Sequence, residues 1–170
     1  MDAALQEIVD ALKAAVLAEG DGYHFYMMAA ASTKDPKGKE VFETLAREEQ
    51  DHARYLKAQY RALLETGKPD GGVRLGTRLD LTGPSPIFSP ALRSRAGEAH
   101  YEMSALSIGM QLELGAAQFY RDLAAKATAP ELKQVLTELS EWETGHFEAL
   151  QRQQGALRED YYADGGFARF

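Results

Sequence analysis

The chain has 170 residues, 45% of them apolar, and a formal net charge of −7. Length and apolar content fit one domain with a sizeable core. The acidic balance argues against nucleic acid or an anionic membrane as partner, because no basic cluster is there to meet phosphate. Cysteine is absent, which excludes disulfides, thiolate zinc sites and iron–sulfur clusters.

The N-terminal stretch carries early acids and no basic region ahead of an apolar run, so it does not read as a signal peptide. No run of about 18 apolar residues is present to span a bilayer, and the expectation is a cytoplasmic protein. Leu5, Leu12, Val16, Tyr23, Tyr26 and Ala30 fall on one stripe, which predicts a long amphipathic helix over residues 3–32. Asp35-Pro36 then offers an N-cap and a proline at the first helical position. A second helix follows, with Val41, Phe42, Leu45, Leu56 and Leu63 inward, and ends before Gly67.

Glycine and proline crowd residues 66–96, with short apolar pieces such as Ile87-Phe88. A connection this long is unusual in a compact domain. It can run the length of a bundle, so the third helix need not be antiparallel to the second. That helix is predicted over 97–127, with Leu106, Met110, Ala117, Tyr120 and Ala124 inward. Ala129-Pro130 opens the fourth, which carries Leu136, Leu139, Phe147 and Leu150 to about Gln153, and Gly155 is read as its end. The remainder, with Tyr161, Tyr162, Phe167 and Phe170, is too aromatic for a free tail and predicts a docked segment or a subunit contact. One domain over 1–170 results: hairpin 1 at 3–65, linker at 66–96, hairpin 2 at 97–154 and a C-terminal segment at 155–170.

The chain repeats itself. Glu19, Glu49 and His52 recur, 94 positions on, as Glu113, Glu143 and His146. At the same offset Leu12 matches Leu106, Phe25-Tyr26 matches Phe119-Tyr120, and Pro36 matches Pro130. Likewise Leu45 matches Leu139 and Leu56 matches Leu150. The pattern is two helical hairpins related by a pseudo-two-fold axis.

Positions i and i+3 share a helix face, so Glu49 points with His52 and Glu143 with His146. All four glutamates lie on the apolar stripes and therefore at core positions. Four buried carboxylates would repel and take up protons; two divalent cations convert that repulsion into coordination. Carboxylate and imidazole suit iron, manganese, zinc or cobalt. Glu49 and Glu143 are placed to bridge two metals, with Glu19 and His52 completing one and Glu113 and His146 the other.

Over nearly its full length the chain resembles the rubrerythrin branch of the ferritin-like diiron-carboxylate superfamily. Glu19, Glu49-x-x-His52, Glu113 and Glu143-x-x-His146 match that family's six core ligands, and Tyr26 and Tyr120 match its tyrosines beside the metals. The resemblance implies an all-α, ferritin-like four-helix bundle with a long crossover linker and two iron ions. Manganese or a mixed pair is an alternative, and zinc can be recovered on purification. It also implies a homodimer, which so long a linker would allow to be domain-swapped.

There are two departures. Typical rubrerythrins carry a further glutamate three residues after the third-helix ligand; here Ala116 stands there, and Gly22 at its mirror position, which brings the ligand set closer to bacterioferritin. No cysteine can build a rubredoxin-type module, so reduction needs an external electron donor such as a rubredoxin-like protein.

Three functions follow. The first is redox chemistry with hydrogen peroxide or dioxygen, the second is iron handling as at a ferroxidase centre, and the third is a metal-stabilised structural bundle. Tyr26 and Tyr120 can hydrogen-bond a bridging carboxylate, supply an electron, or simply be buried and anchored by their hydroxyls. His24 and His100 are off the glutamate stripes and read as surface or linker-contact residues. Glu48 and Asp51 read as solvated, with an option to hold a histidine ring. Trp142 reads as packing, and Met27, Met28, Met103 and Met110 as core filler.

Overall fold

The computed structural model describes residues 3–76, 88–94 and 99–164. Helices account for all regular structure among them, in the order α1 (Ala3–Ser32), α2 (Pro36–Thr66), α3 (Pro90–Arg93), α4 (His100–Lys126) and α5 (Pro130–Asp164). None is long and apolar enough to cross a membrane, among the described residues. The architecture is an all-α, ferritin-like bundle of two hairpins, with α1 packed along α2 and α4 along α5, and α1 also approaching α4.

The start of α2 follows from the sequence. The Asp35 side chain accepts a hydrogen bond from the Gly38 N–H at 2.8 Å, and Pro36 opens the helix without losing a needed donor. Gly67 closes it at φ 69°, a left-handed conformation that favours glycine, with its N–H bonded to the Leu63 carbonyl at 3.0 Å.

Two apolar clusters fill the bundle, one toward each end. One joins Tyr26, Ala30, Phe42, Leu45, Leu106 and Leu150; the other joins Leu12, Leu56, Leu63, Tyr120, Leu136 and Leu139. The first gathers the N-terminal parts of both α2 and α4, and the second their C-terminal parts. The two helices therefore run parallel, and the end of α2 and the start of α4 lie at opposite ends of the bundle. The described pieces of the linker touch both clusters. Gln59, fully buried, donates to the Asp70 carbonyl at 3.0 Å and accepts from the Asp70 N–H at 2.9 Å. Val73 and Leu75 lie on the second cluster, while Phe88 and Leu92 lie on the first. Phe88 sits on bare backbone at Gly38, where a Cβ would come within 2.7 Å of its ring. Residues 77–87 and 95–98 lie outside the described set, Ile87 among them.

Helix α5 corrects one expectation. It does not stop at Gln153 but runs through Gly155 to Asp164. A glycine inside a helix costs only about 1 kcal/mol relative to alanine, and the extra turns repay that by docking. Leu157 is buried, Tyr161 packs on the first cluster and against the His100 ring, and Asp160 accepts from Arg93 Nε at 2.5 Å. The aromatic C-terminal segment is thus in part a docked helix; Phe167 and Phe170 lie outside the described residues. Met103 and Met110 do pack on the core, but Met27 and Met28 do not, being 39% and 58% exposed. They fall on the outward side of α1.

Candidate metal centre

Between the two apolar clusters lies a polar layer, and it contains all six residues singled out above. Glu19 comes from α1, Glu49 and His52 from α2, Glu113 from α4, and Glu143 and His146 from α5; each is at most 4% exposed. Their donor atoms form two overlapping groups. Glu19, Glu49, His52 and Glu143 make one, and Glu49, Glu113, Glu143 and His146 make the other, with the atoms of each group within 4.8 Å of one another. Glu49 and Glu143 belong to both.

The imidazoles face the carboxylates through Nδ1. His52 Nδ1 lies 2.9 Å from Glu143, 3.5 Å from Glu19 and 3.7 Å from Glu49. His146 Nδ1 lies 3.4 Å from Glu143 and 3.5 Å from Glu113. The rings stack with centroids 5.9 Å apart. Both Nδ1 atoms and both Glu143 oxygens are buried without a hydrogen-bond partner. Orphaned atoms of this kind are rare in folded proteins, and here they are convergent donors of the types that bind divalent metal. The donor set therefore fits two such ions.

Charge in the metal-free layer is shared unevenly. Burial pushes the Glu49 carboxyl well up, with Glu113 and Glu143 adding to the rise. Burial likewise takes Glu113 up to about 7, opposed by His146. Burial also acts against ionised Glu143, but His52 and His146 outweigh it and hold Glu143 below the usual carboxylate range. Both imidazoles are raised well above their usual range: burial opposes their charge, and the facing carboxylates, Glu143 for His52 and Glu113 for His146, overcome it. Without metal, the histidines are the cations of the layer.

The tyrosines work across the pseudo-axis. Tyr26 donates to Glu113 and Tyr120 donates to Glu19, each reaching the glutamate of the other hairpin. Both hydroxyls are held well above the usual phenol range, first by burial and then by those same glutamates. The partners are thus the carboxylates that belong to one group each, not the two shared ones. Gly109 makes room for this, because a Cβ there would stand 3.1 Å from the Tyr26 hydroxyl.

Of the two courses open to Glu48, a solvated face or a hold on a histidine ring, the structure takes the second. Glu48 is 5% exposed and its Oε2 lies 2.5 Å from His146 Nε2, across the hairpin interface. Its mirror, Trp142, packs edge-on against His52 with centroids 5.1 Å apart, and His52 Nε2 has no hydrogen-bond partner. Asp51 pairs with Arg54 on the same helix. His24 is exposed, and His100 is exposed beside Tyr161. Sequence reasoning missed Glu102, which is buried and accepts from the Thr33 hydroxyl at 2.8 Å, tying the end of α1 to the start of α4. Its mirror is Ile8, so the repeat carried no signal for it.

Fold and centre together define a ferritin-like bundle protein with a buried carboxylate–histidine cluster suited to a metal pair. Residues 10–72, which include Glu19, Glu49 and His52, match the protein family described as Rubrerythrin. No curated protein and no solved structure matches the chain.

Proposed function

We propose that the chain holds two iron ions between its hairpins and reacts with hydrogen peroxide or dioxygen, taking electrons from an external, rubredoxin-like donor. The observation that carries this reading is the pair of overlapping donor groups that share Glu49 and Glu143 while both histidine Nδ1 atoms, close to the carboxylates, make no aligned hydrogen bond. In it, Glu49 and Glu143 would be shared between the two ions, Glu19 with His52 would hold one, and Glu113 with His146 would hold the other. Manganese or a mixed pair would use the same atoms, and zinc would bind on purification. Iron held there would supply redox chemistry, one electron per ferrous ion, enough with two protons to reduce one hydrogen peroxide to two waters.

The chain's own residues do the rest. Tyr26 and Tyr120 fix the outer carboxylates. Glu48 fixes the His146 ring by its far nitrogen. The apolar clusters on either side give the polar layer low-dielectric neighbours, which strengthens the electrostatic interactions inside it. The working unit in this reading is a homodimer.

A second reading makes ferrous ion the substrate, bound, oxidised and passed on. The symmetric six-residue set favours it, since Ala116 and Gly22 stand where a further carboxylate would break the symmetry. Anaerobic ferrous titration of the metal-free protein, followed by stopped-flow mixing with either oxidant, separates the readings. Two irons per chain and faster oxidation by peroxide support the first. Uptake of many irons per chain supports the second. No pair bound, or a pair inert to both oxidants, would leave a structural bundle.

A further inference from the structure

We propose that the centre takes an apolar organic ligand, neutral or cationic, in a cavity between α1 and α4. The cavity has a volume of about 360 Å³, and its floor includes Glu19, Glu49 and Glu113. Its walls are mostly apolar and small: Ala14 and Ala18 on α1, with Leu112, Ala116 and Phe119 on α4, and Gln111 as a polar exception. Ala14, Ala18, Leu112 and Phe119 are exposed, so the cavity opens on the outer face of the bundle.

Two positions make the opening. A Cβ at Gly22 would stand 3.4 Å from the Glu49 side chain, so glycine there leaves Glu49 facing the cavity. Across from it, Ala116 presents a methyl group to the lining. The result is a passage from solvent to a shared carboxylate with no charged side chain on its walls.

Size and polarity name the ligand. A small oxidant needs about the space of one water, roughly 30 Å³, a fraction of this volume. Apolar walls contribute nothing to a ferrous ion or to peroxide, but they gain from burying hydrocarbon. Cavities of a few hundred Å³, mainly apolar with a few convergent polar groups, are the usual form of a small-molecule site. A one- or two-ring aromatic or a medium-length alkyl chain fits that description. The carboxylate floor and the net charge of −7 disfavour an anion. The inference rests on the dinuclear reading only for what the ligand meets at its inner end; the cavity itself does not need metal.

The test uses a neutral naphthalene dye whose emission shifts to the blue in apolar surroundings, titrated into metal-free and zinc-loaded protein. Saturable binding of one dye per chain is expected, weakened at least tenfold by Ala116→Leu and by Ala18→Leu. Cobalt titration of both variants should still give two ions per chain, and plain naphthalene should shift the visible bands of bound cobalt in the unsubstituted protein. No saturable dye binding, or affinity unchanged in both variants, would overturn the proposal, as would cobalt bands indifferent to naphthalene. Dye loss only at concentrations where the chain dimerises would give the face to a second copy and also overturn it. Failure to bind two cobalt ions would instead strike at the dinuclear reading, with dye binding still deciding the cavity.

Discussion

The two hairpins place the same three metal-type ligands and the same tyrosine in the same layer, yet they treat their histidines differently. His146 has its outer nitrogen on Glu48 at 2.5 Å, whereas His52 leans on the Trp142 ring and its outer nitrogen has no partner. A carboxylate on the far nitrogen fixes tautomer and ring orientation and makes the imidazole a better donor. Sequence duplication therefore yields a symmetric set of candidate ligands with unequal support, and if the set holds two metals their positions should not behave alike.

The largest test removes what the halves share. Glu143→Ala takes a donor from both groups and leaves two buried imidazoles facing fewer charges. Loss of the metal pair is expected, with affinity reduced by more than about 100-fold at both positions, read by cobalt titration. Retention of two tight sites would refute the role of Glu143.

Metal removal should expose the charge balance of the layer. Glu113 holds its proton up to about 7 in the folded chain against 4.5 ordinarily, so the folded state binds more protons than the unfolded state across that interval. Stability of the metal-free protein should then fall as pH rises from about 4.5 to about 7, by about 3 kcal/mol from this group. The raised imidazoles act in the same direction above their usual range, because their contribution is lost as pH passes their folded values. Metal displaces these protons, so its apparent affinity should rise with pH through about 7. Denaturant melts of metal-free and zinc-loaded protein across pH would show it, and a metal-free protein gaining stability toward neutral pH would contradict it.

Glu48→Gln addresses the asymmetry directly. One of two metal-binding steps should weaken by about 10- to 100-fold while the other stays. Equal weakening of both steps would mean that Glu48 does not belong to one half.

Tyr26→Phe and Tyr120→Phe should each cost about 1–3 kcal/mol, because each leaves a buried carboxylate short of its donor. The two costs should be alike, since both hydroxyls make the equivalent cross-hairpin contact. Thermal melts of the metal-free variants measure this.

The smallest test compares how the hairpins end. Gly67 sits at φ 69° and stops α2, whereas Gly155 lies inside α5 with nothing within 4 Å of an added Cβ. Gly67→Ala should destabilise and Gly155→Ala stabilise, each by about 1 kcal/mol. A destabilised Gly155→Ala would mean that the helix ends there after all.

Much of this was legible before any coordinates. The repeat at 94 positions and the i, i+3 spacing put six donors on inward faces, and a face is a local property of a helix. Both ends of α2 were legible for the same reason, since the Asp35 side chain caps a backbone N–H three residues on, Pro36 fixes its own φ, and Gly67 takes the left-handed conformation. Glu48 was not. Adjacent helical residues point about 100° apart, and whether that second direction meets water or a neighbouring helix depends on the other hairpin. The partners of the tyrosines were hidden likewise, because each hydroxyl bonds a glutamate more than 80 residues away. Gly155 misled because its local preference is weaker than the docking of Leu157, Tyr161 and Asp160 beyond it.

By itself, then, the sequence determined the helices, the pseudo-two-fold pattern and the donor set, all of which follow from periodicity within one helix or one hairpin. Only the tertiary structure decided that α4 runs parallel to α2, that Glu48 rather than a mirror residue supports one histidine, and that Gly22 and Ala116 line a cavity that reaches Glu49. Each of these depends on the distance between elements far apart in the chain, and close packing of side chains, not their local preference, sets that distance.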